Sequence, residues 1–161
     1  MSDEVRHAED DAAKVWVLPP ALYLTALVVG VVLHWLVPLG FAEGSTARLG
    51  LGVAAIAAGL AIIRAAFSVF KRIGQDPNPR TSTPVITRDG PYRFTRNPMY
   101  LGLSLILLGL GVALANGWIV VMLVPTLAIM HYGVILPEER YLERKFGEEY
   151  ARFRASVRRW I

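Results

Sequence analysis

The sequence predicts an all-α, polytopic membrane protein: about four transmembrane helices followed by a C-terminal amphipathic surface helix, in a single domain over residues 1–161. Three observations predict it. The first is composition, with 54% hydrophobic residues, 19% charged and a mean hydropathy of +0.42, against about 25% charged in an ordinary soluble domain. The second is a set of apolar runs of the length that crosses a bilayer as helix, about 20 residues. The third is a strong bias of Lys and Arg toward one end of those runs, the asymmetry that sets membrane orientation. No separate soluble catalytic module fits in this length, so any chemistry must come from loops and helix ends. The absence of cysteine excludes disulfides, thiolate nucleophiles and Cys-ligated metals, and no metal site is expected.

Residues 1–14, MSDEVRHAEDDAAK, form an acidic tail. No small-residue cleavage site follows the first apolar run, so that run is expected to remain as an anchor. It extends from Val15 to Ala42 as helix one, with Pro19-Pro20 setting its start and His34 its only ionisable group. Helix two is expected from Leu49 to Phe70, completing the pair within residues 15–70. Its small residues Ala55 and Gly59 have the i, i+4 spacing that lets helices approach closely in lipid. Arg64 lies inside this span, near enough to its end to snorkel.

Residues 71–97 read as a cytoplasmic loop, with turn signals at Asp76-Pro77, Asn78-Pro79 and Asp89-Gly90-Pro91 and a hint of extended chain at Val85–Thr87. The 41 residues from Asn97 to Pro137 carry no acidic or basic residue other than His131, about twice one membrane crossing. They read as a hairpin over residues 98–136, helix three from Pro98 to Ala115 and helix four from Trp118 to Leu136, turning at Asn116-Gly117. Over residues 137–161, Tyr141, Leu142, Phe146, Tyr150, Phe153, Val157 and Trp160 recur at three- and four-residue steps among charges. That pattern predicts an amphipathic helix on the membrane surface, divided at Gly147.

Of the 17 Lys and Arg residues, Arg48 alone lies at the far end of the spans and Arg64 inside one; the other fifteen share one end. Both termini and both polar clusters, Gly90–Tyr100 and Pro137–Gly147, are therefore expected in the cytoplasm. The net charge of +4 and the pI near 9.7 follow from this asymmetry and from attraction to anionic lipid. They require no nucleic acid.

Each candidate site residue also has an ordinary structural reading. Asn97-Pro98 is a helix start, with Asn as N-cap and Pro at the first position, yet such a terminus also suits an anion. Arg93 and Arg96 serve topology or fork onto a carboxylate. Glu138 and Glu139 complement a helix dipole or orient a ligand. Tyr100 and Gly102 would put a hydroxyl and a gap one turn into helix three. His131 precedes Glu138 by two helical turns and would share its face, and a histidine inside a span is a functional candidate or a hydrogen bond to a neighbouring helix.

The set Gly90-Pro91-Tyr92-Arg93, Arg96-Asn97-Pro98-Met99-Tyr100-Leu101-Gly102 and Glu138-Glu139, with Leu142, Phe146-Gly147 and Tyr150, resembles the isoprenylcysteine carboxyl methyltransferase and phospholipid methyltransferase superfamily of integral membrane enzymes. The resemblance covers about Thr83 to Arg159. It implies methyl transfer from S-adenosylmethionine at the cytoplasmic membrane face, to a lipophilic or small acceptor such as a prenylated peptide, a phospholipid amine, or a small thiol or amine. By resemblance Arg96 and Glu138 are the essential polar pair, and Tyr92, Asn97, Pro98, Tyr100, Gly102, His131 and Glu139 shape the cofactor pocket. Many members carry His between the Arg and the Pro; here Asn97 stands there, so a titrating imidazole is not carried over. The short Ala- and Val-rich chain suggests a bacterial inner membrane. Two rivals remain open: a membrane-embedded NADPH-dependent reductase related to sterol reductases, which lacks a Gly-rich fingerprint here, and a non-catalytic four-span scaffold.

Overall fold

The computed structural model describes residues 13–42, 44–74 and 85–161. Most of the acidic tail and the turn signals at Asp76-Pro77 and Asn78-Pro79 lie outside the described residues. Helix α1 runs over Pro19–Leu36. It opens on the Pro pair, whose fixed φ and missing N–H suit a first turn. It stops well before Ala42 because Val37 precedes Pro38 and is held extended, at φ −136° and ψ 94°. Helix α2, Thr46–Ile73, exceeds the predicted span at both ends. The Ser45 hydroxyl accepts the Arg48 N–H at 3.3 Å, and Lys71 and Arg72 sit in the last turn, where cations complement the dipole. Gly74, at φ +69°, ends it.

Helix α3, Pro98–Ala113, and helix α4, Gly117–Met130, form the predicted hairpin. Asn116 closes it, its side-chain oxygen accepting the Ile119 N–H at 3.1 Å. At this end of the molecule Arg48 donates to the Val112 and Ala113 carbonyls, satisfying the exposed C-terminus of α3. Helix α2 packs along α3, α3 along α4, and α4 along α1. The α2–α3 contact is a glycine lane, Gly52 and Gly59 against Gly102 and Gly109. A Cβ on Gly59 would stand 2.5 Å from the Gly102 carbonyl oxygen, and one on Gly109 2.7 Å from that of Gly52. Gly59 thus makes the close approach expected of it, with Gly52 rather than Ala55 as its companion.

The predicted break at Pro137 is absent. Helix α4 continues through a π-turn, His131–Ile135, into α5, Leu136–Phe146. Pro137 has no N–H to give the Gly133 carbonyl four residues earlier. The Leu136 N–H reaches five residues back to His131, and the Gly133 carbonyl accepts the Trp16 N–H at 2.9 Å. The segment before α1 thereby crosses the π-turn, the Trp16 ring lying where a Gly133 side chain would be.

Helix α6, Glu148–Ser156, follows α5 after Gly147 at φ +51°, the division expected there. Residues 157–161 are not helical, contrary to the predicted pattern: Arg158 pairs in a parallel bridge with Thr95. The apolar side of the terminal helices is also not left for lipid alone, since Tyr150, Phe153 and Val157 pack with Ile86, Leu142 and Phe146. Among the described residues, three helical stretches, Pro19–Leu36, Thr46–Ile73 and Gly117–Phe146, are long and apolar enough to cross a membrane. The fourth apolar helix, α3, has 16 residues and a length of about 24 Å.

Candidate functional site

Opposite the Arg48 end, the start of α3, the C-terminus of α2 and the start of α5 converge. Tyr92 arrives on a 3-10 turn, Gly90–Arg93, opened by Gly90 at φ +54°. Its ring stacks on Phe70 of α2 with centroids 5.3 Å apart. The turn buries its hydroxyl, which finds no hydrogen-bond partner among the described residues. Burial, aided by the nearby charge of Glu138, pushes the Tyr92 phenol upward, so it remains a neutral donor.

Arg96 enters just before α3 with its side chain 9% exposed. One terminal nitrogen lies 3.1 Å from Glu139, whose side chain is equally buried, and donates to the Tyr150 hydroxyl at 3.2 Å. Burial and the Glu139 charge push Tyr150 upward, Arg96 opposing them, so Tyr150 stays a neutral acceptor. Arg96 Nε is buried without a partner among the described residues. Arg159 completes the cluster with a two-pronged contact on Glu139 at 2.9 and 2.8 Å.

Beside it, the Tyr100 hydroxyl donates to Glu138 at 2.5 Å. The two adjacent glutamates thus have different jobs. Arg96 pairs with Glu139 and Tyr100 with Glu138, because successive residues on α5 point about 100° apart.

Asn97 occupies the N-cap position of α3 without capping it. Its side-chain amide donates to the Arg159 carbonyl at 2.9 Å, which leaves the first-turn N–H groups uncapped by a side chain. Pro98 is buried at the helix start. The gap expected at Gly102 is filled by α2, the space of its missing side chain being taken by Ile63 and the Gly59 carbonyl. His131 opens the π-turn and meets the Tyr132 ring edge-on at 4.9 Å. The π-turn His131–Ile135 lies between it and Glu138, so the two are not separated by the seven regular α-helical residues that the expected shared face assumes. Tyr150 and Arg159 were missed as site residues. Tyr150 lies on an apolar stripe and Arg159 among basic residues, and neither spacing marks them.

The arrangement offers two donors unmatched among the described residues: the Tyr92 hydroxyl, near Glu138, and Arg96 Nε, in a cluster of two guanidiniums on the Glu139 carboxylate that carries one net positive charge. The carboxylate of Glu138 stands beside it. Such a pairing suits a ligand that presents a carboxylate and an ammonium together.

A Haemophilus influenzae protein described as uncharacterized is 41% identical over 63 residues, which are 39% of this chain and all of that protein. No solved structure matches. The pattern of the phospholipid methyltransferase family matches residues 47–149, from α2 through the hairpin and the Glu138-Glu139 pair into the start of α6. The chain belongs to the phospholipid methyltransferase family.

Proposed function

We propose that the protein transfers a methyl group from S-adenosylmethionine to a lipophilic or small acceptor at the cytoplasmic face of the membrane. The observation that carries the reading is two buried donors without a partner among the described residues, Tyr92 Oη and Arg96 Nε, the first near Glu138 and the second in the positive cluster on Glu139. Buried polar groups are almost always satisfied, and an orphan calls for a missing partner. The amino-acid end of the cofactor supplies one: its carboxylate fits Arg96, Tyr92 and the uncapped start of α3, and its ammonium fits Glu138.

Bound there, S-adenosylmethionine would supply a methyl group already activated as a sulfonium. The chain's own task is placement, and holding two reactants in line is worth up to about 7–11 kcal/mol of barrier. Tyr100 fixes one Glu138 oxygen through its hydroxyl, orienting the carboxylate. Glu139 and Tyr150 hold Arg96 in place. The bias of Lys and Arg toward the site end supports a cytoplasmic site with both termini on the same side.

Calorimetric titration with S-adenosylhomocysteine tests the reading. Micromolar binding by the wild type, lost in Arg96→Gln and Glu138→Gln, is the expected result. A well-folded wild type that takes up no ligand would refute it in favour of a non-catalytic membrane scaffold.

A further inference from the structure

The family match ends at residue 149, yet the buried ion cluster is completed from beyond it. We propose that Arg159 is a positioning residue for Arg96, acting through Glu139, and that residues 157–161 are the strap that carries it across the start of α3. The proposal rests on the methyltransferase reading for its functional consequence.

Arg159 grips the cluster from two sides. Its guanidinium forks onto both Glu139 oxygens at 2.9 and 2.8 Å, while its carbonyl accepts from the Asn97 amide at 2.9 Å and the Thr95 hydroxyl at 3.1 Å. The Arg158 carbonyl takes the Arg96 N–H at 2.9 Å. The strap is therefore stitched to three consecutive residues, Thr95, Arg96 and Asn97, directly before α3.

A fork fixes the plane of a carboxylate as a single contact cannot. With both oxygens held by Arg159, Glu139 presents Oε1 to Arg96 in one orientation, and the guanidinium is held with Nε unpartnered. Without the fork, Glu139 turns to follow Arg96, and Nε loses its fixed direction. Arg159 is suited to this outer position. Its side chain is 34% exposed against 9% for Glu139, so it links the buried cluster to the surface while Arg96 stays inside.

The test compares wild type, Arg159→Gln and Arg159→Lys in two measurements. One is the NMR resonance of the Arg96 Nε–H, identified by its loss in Arg96→Lys; the other is S-adenosylhomocysteine affinity by calorimetry. A buried, fixed Nε–H gives a sharp signal that exchanges slowly with water. Arg159→Gln is expected to broaden it and speed its exchange, and to weaken binding about tenfold, equivalent to about 1.4 kcal/mol. Arg159→Lys keeps the charge without the fork and is expected to fall between the two; if the glutamine variant does not fold, the lysine variant carries the comparison. An unchanged resonance in Arg159→Gln, an altered resonance with unchanged affinity, or a lysine variant equal to wild type in both would overturn the proposal. A folded wild type that binds no ligand refutes the methyltransferase reading instead, and the Nε–H comparison then decides the Arg159–Glu139–Arg96 link by itself.

Discussion

Replacing Gly59 by alanine isolates the contact that sets the depth of α2 against α3. The new Cβ would lie 2.5 Å from the Gly102 carbonyl oxygen and 2.8 Å from the Ile106 side chain. The first neighbour is backbone and cannot rotate away. Restoring an ordinary contact distance, 3.4 Å or more, requires the helices to part by about 0.9 Å, a gap that removes roughly a quarter to a half of the dispersion attraction of each contact it opens. The opening is shared along the lane, because Gly52, Gly102 and Gly109 make equally close approaches. Overpacking of this kind costs about 1–3 kcal/mol, and exchanging Gly for Ala in a helix returns about 1 kcal/mol. The net expectation is a loss of up to about 2 kcal/mol, in a setting where van der Waals packing holds helices together. Unfolding in mixed micelles with increasing SDS, followed by circular dichroism, measures it. A Gly59→Ala protein more stable than wild type by about 1 kcal/mol would mean that helix propensity acts alone and that the lane is not close-packed, which would refute the reasoning. Gly102→Ala distinguishes packing from ligand contact: it should lower stability similarly, whereas a ligand gap there would lower cofactor affinity in a protein of unchanged stability.

Other predictions follow from the site end. Tyr92→Phe removes a buried hydroxyl that has no partner among the described residues, so the free protein should gain up to about 1–2 kcal/mol while S-adenosylhomocysteine affinity drops; unchanged affinity would remove Tyr92 from the site. Glu139→Gln leaves Arg96 buried without its counter-charge and should cost about 3 kcal/mol, the low end for such a loss, because Tyr150 still accepts from Arg96 and the third-exposed Arg159 regains water. The same SDS titration reads it, and a neutral result would show that the cluster is solvated. Pro137→Ala restores an N–H that competes with Trp16 for the Gly133 carbonyl. Amide exchange at Trp16 should accelerate, and an unaltered rate would show that the π-turn does not depend on the proline.

The sequence by itself determined that the chain is built of apolar helices, where most of them begin, and the end at which the polar residues gather. Hydropathy runs, the Pro19-Pro20 and Asn97-Pro98 starts and the Gly147 break act through neighbours in the chain, so they are legible without the fold. Of the residues to which the family resemblance points, Tyr92, Arg96, Tyr100, Glu138 and Glu139 lie at one end of the fold. Only the tertiary structure decided the pairings: Arg96 with Glu139, Tyr100 with Glu138, Gly102 with α2 and Arg159 with the buried cluster. Each depends on how far a helix is rotated about its axis, where one residue changes direction by about 100°. The π-turn that sets the rotation of α5 is completed by Trp16, more than a hundred residues away in the chain, and a local pattern carries no record of that contact.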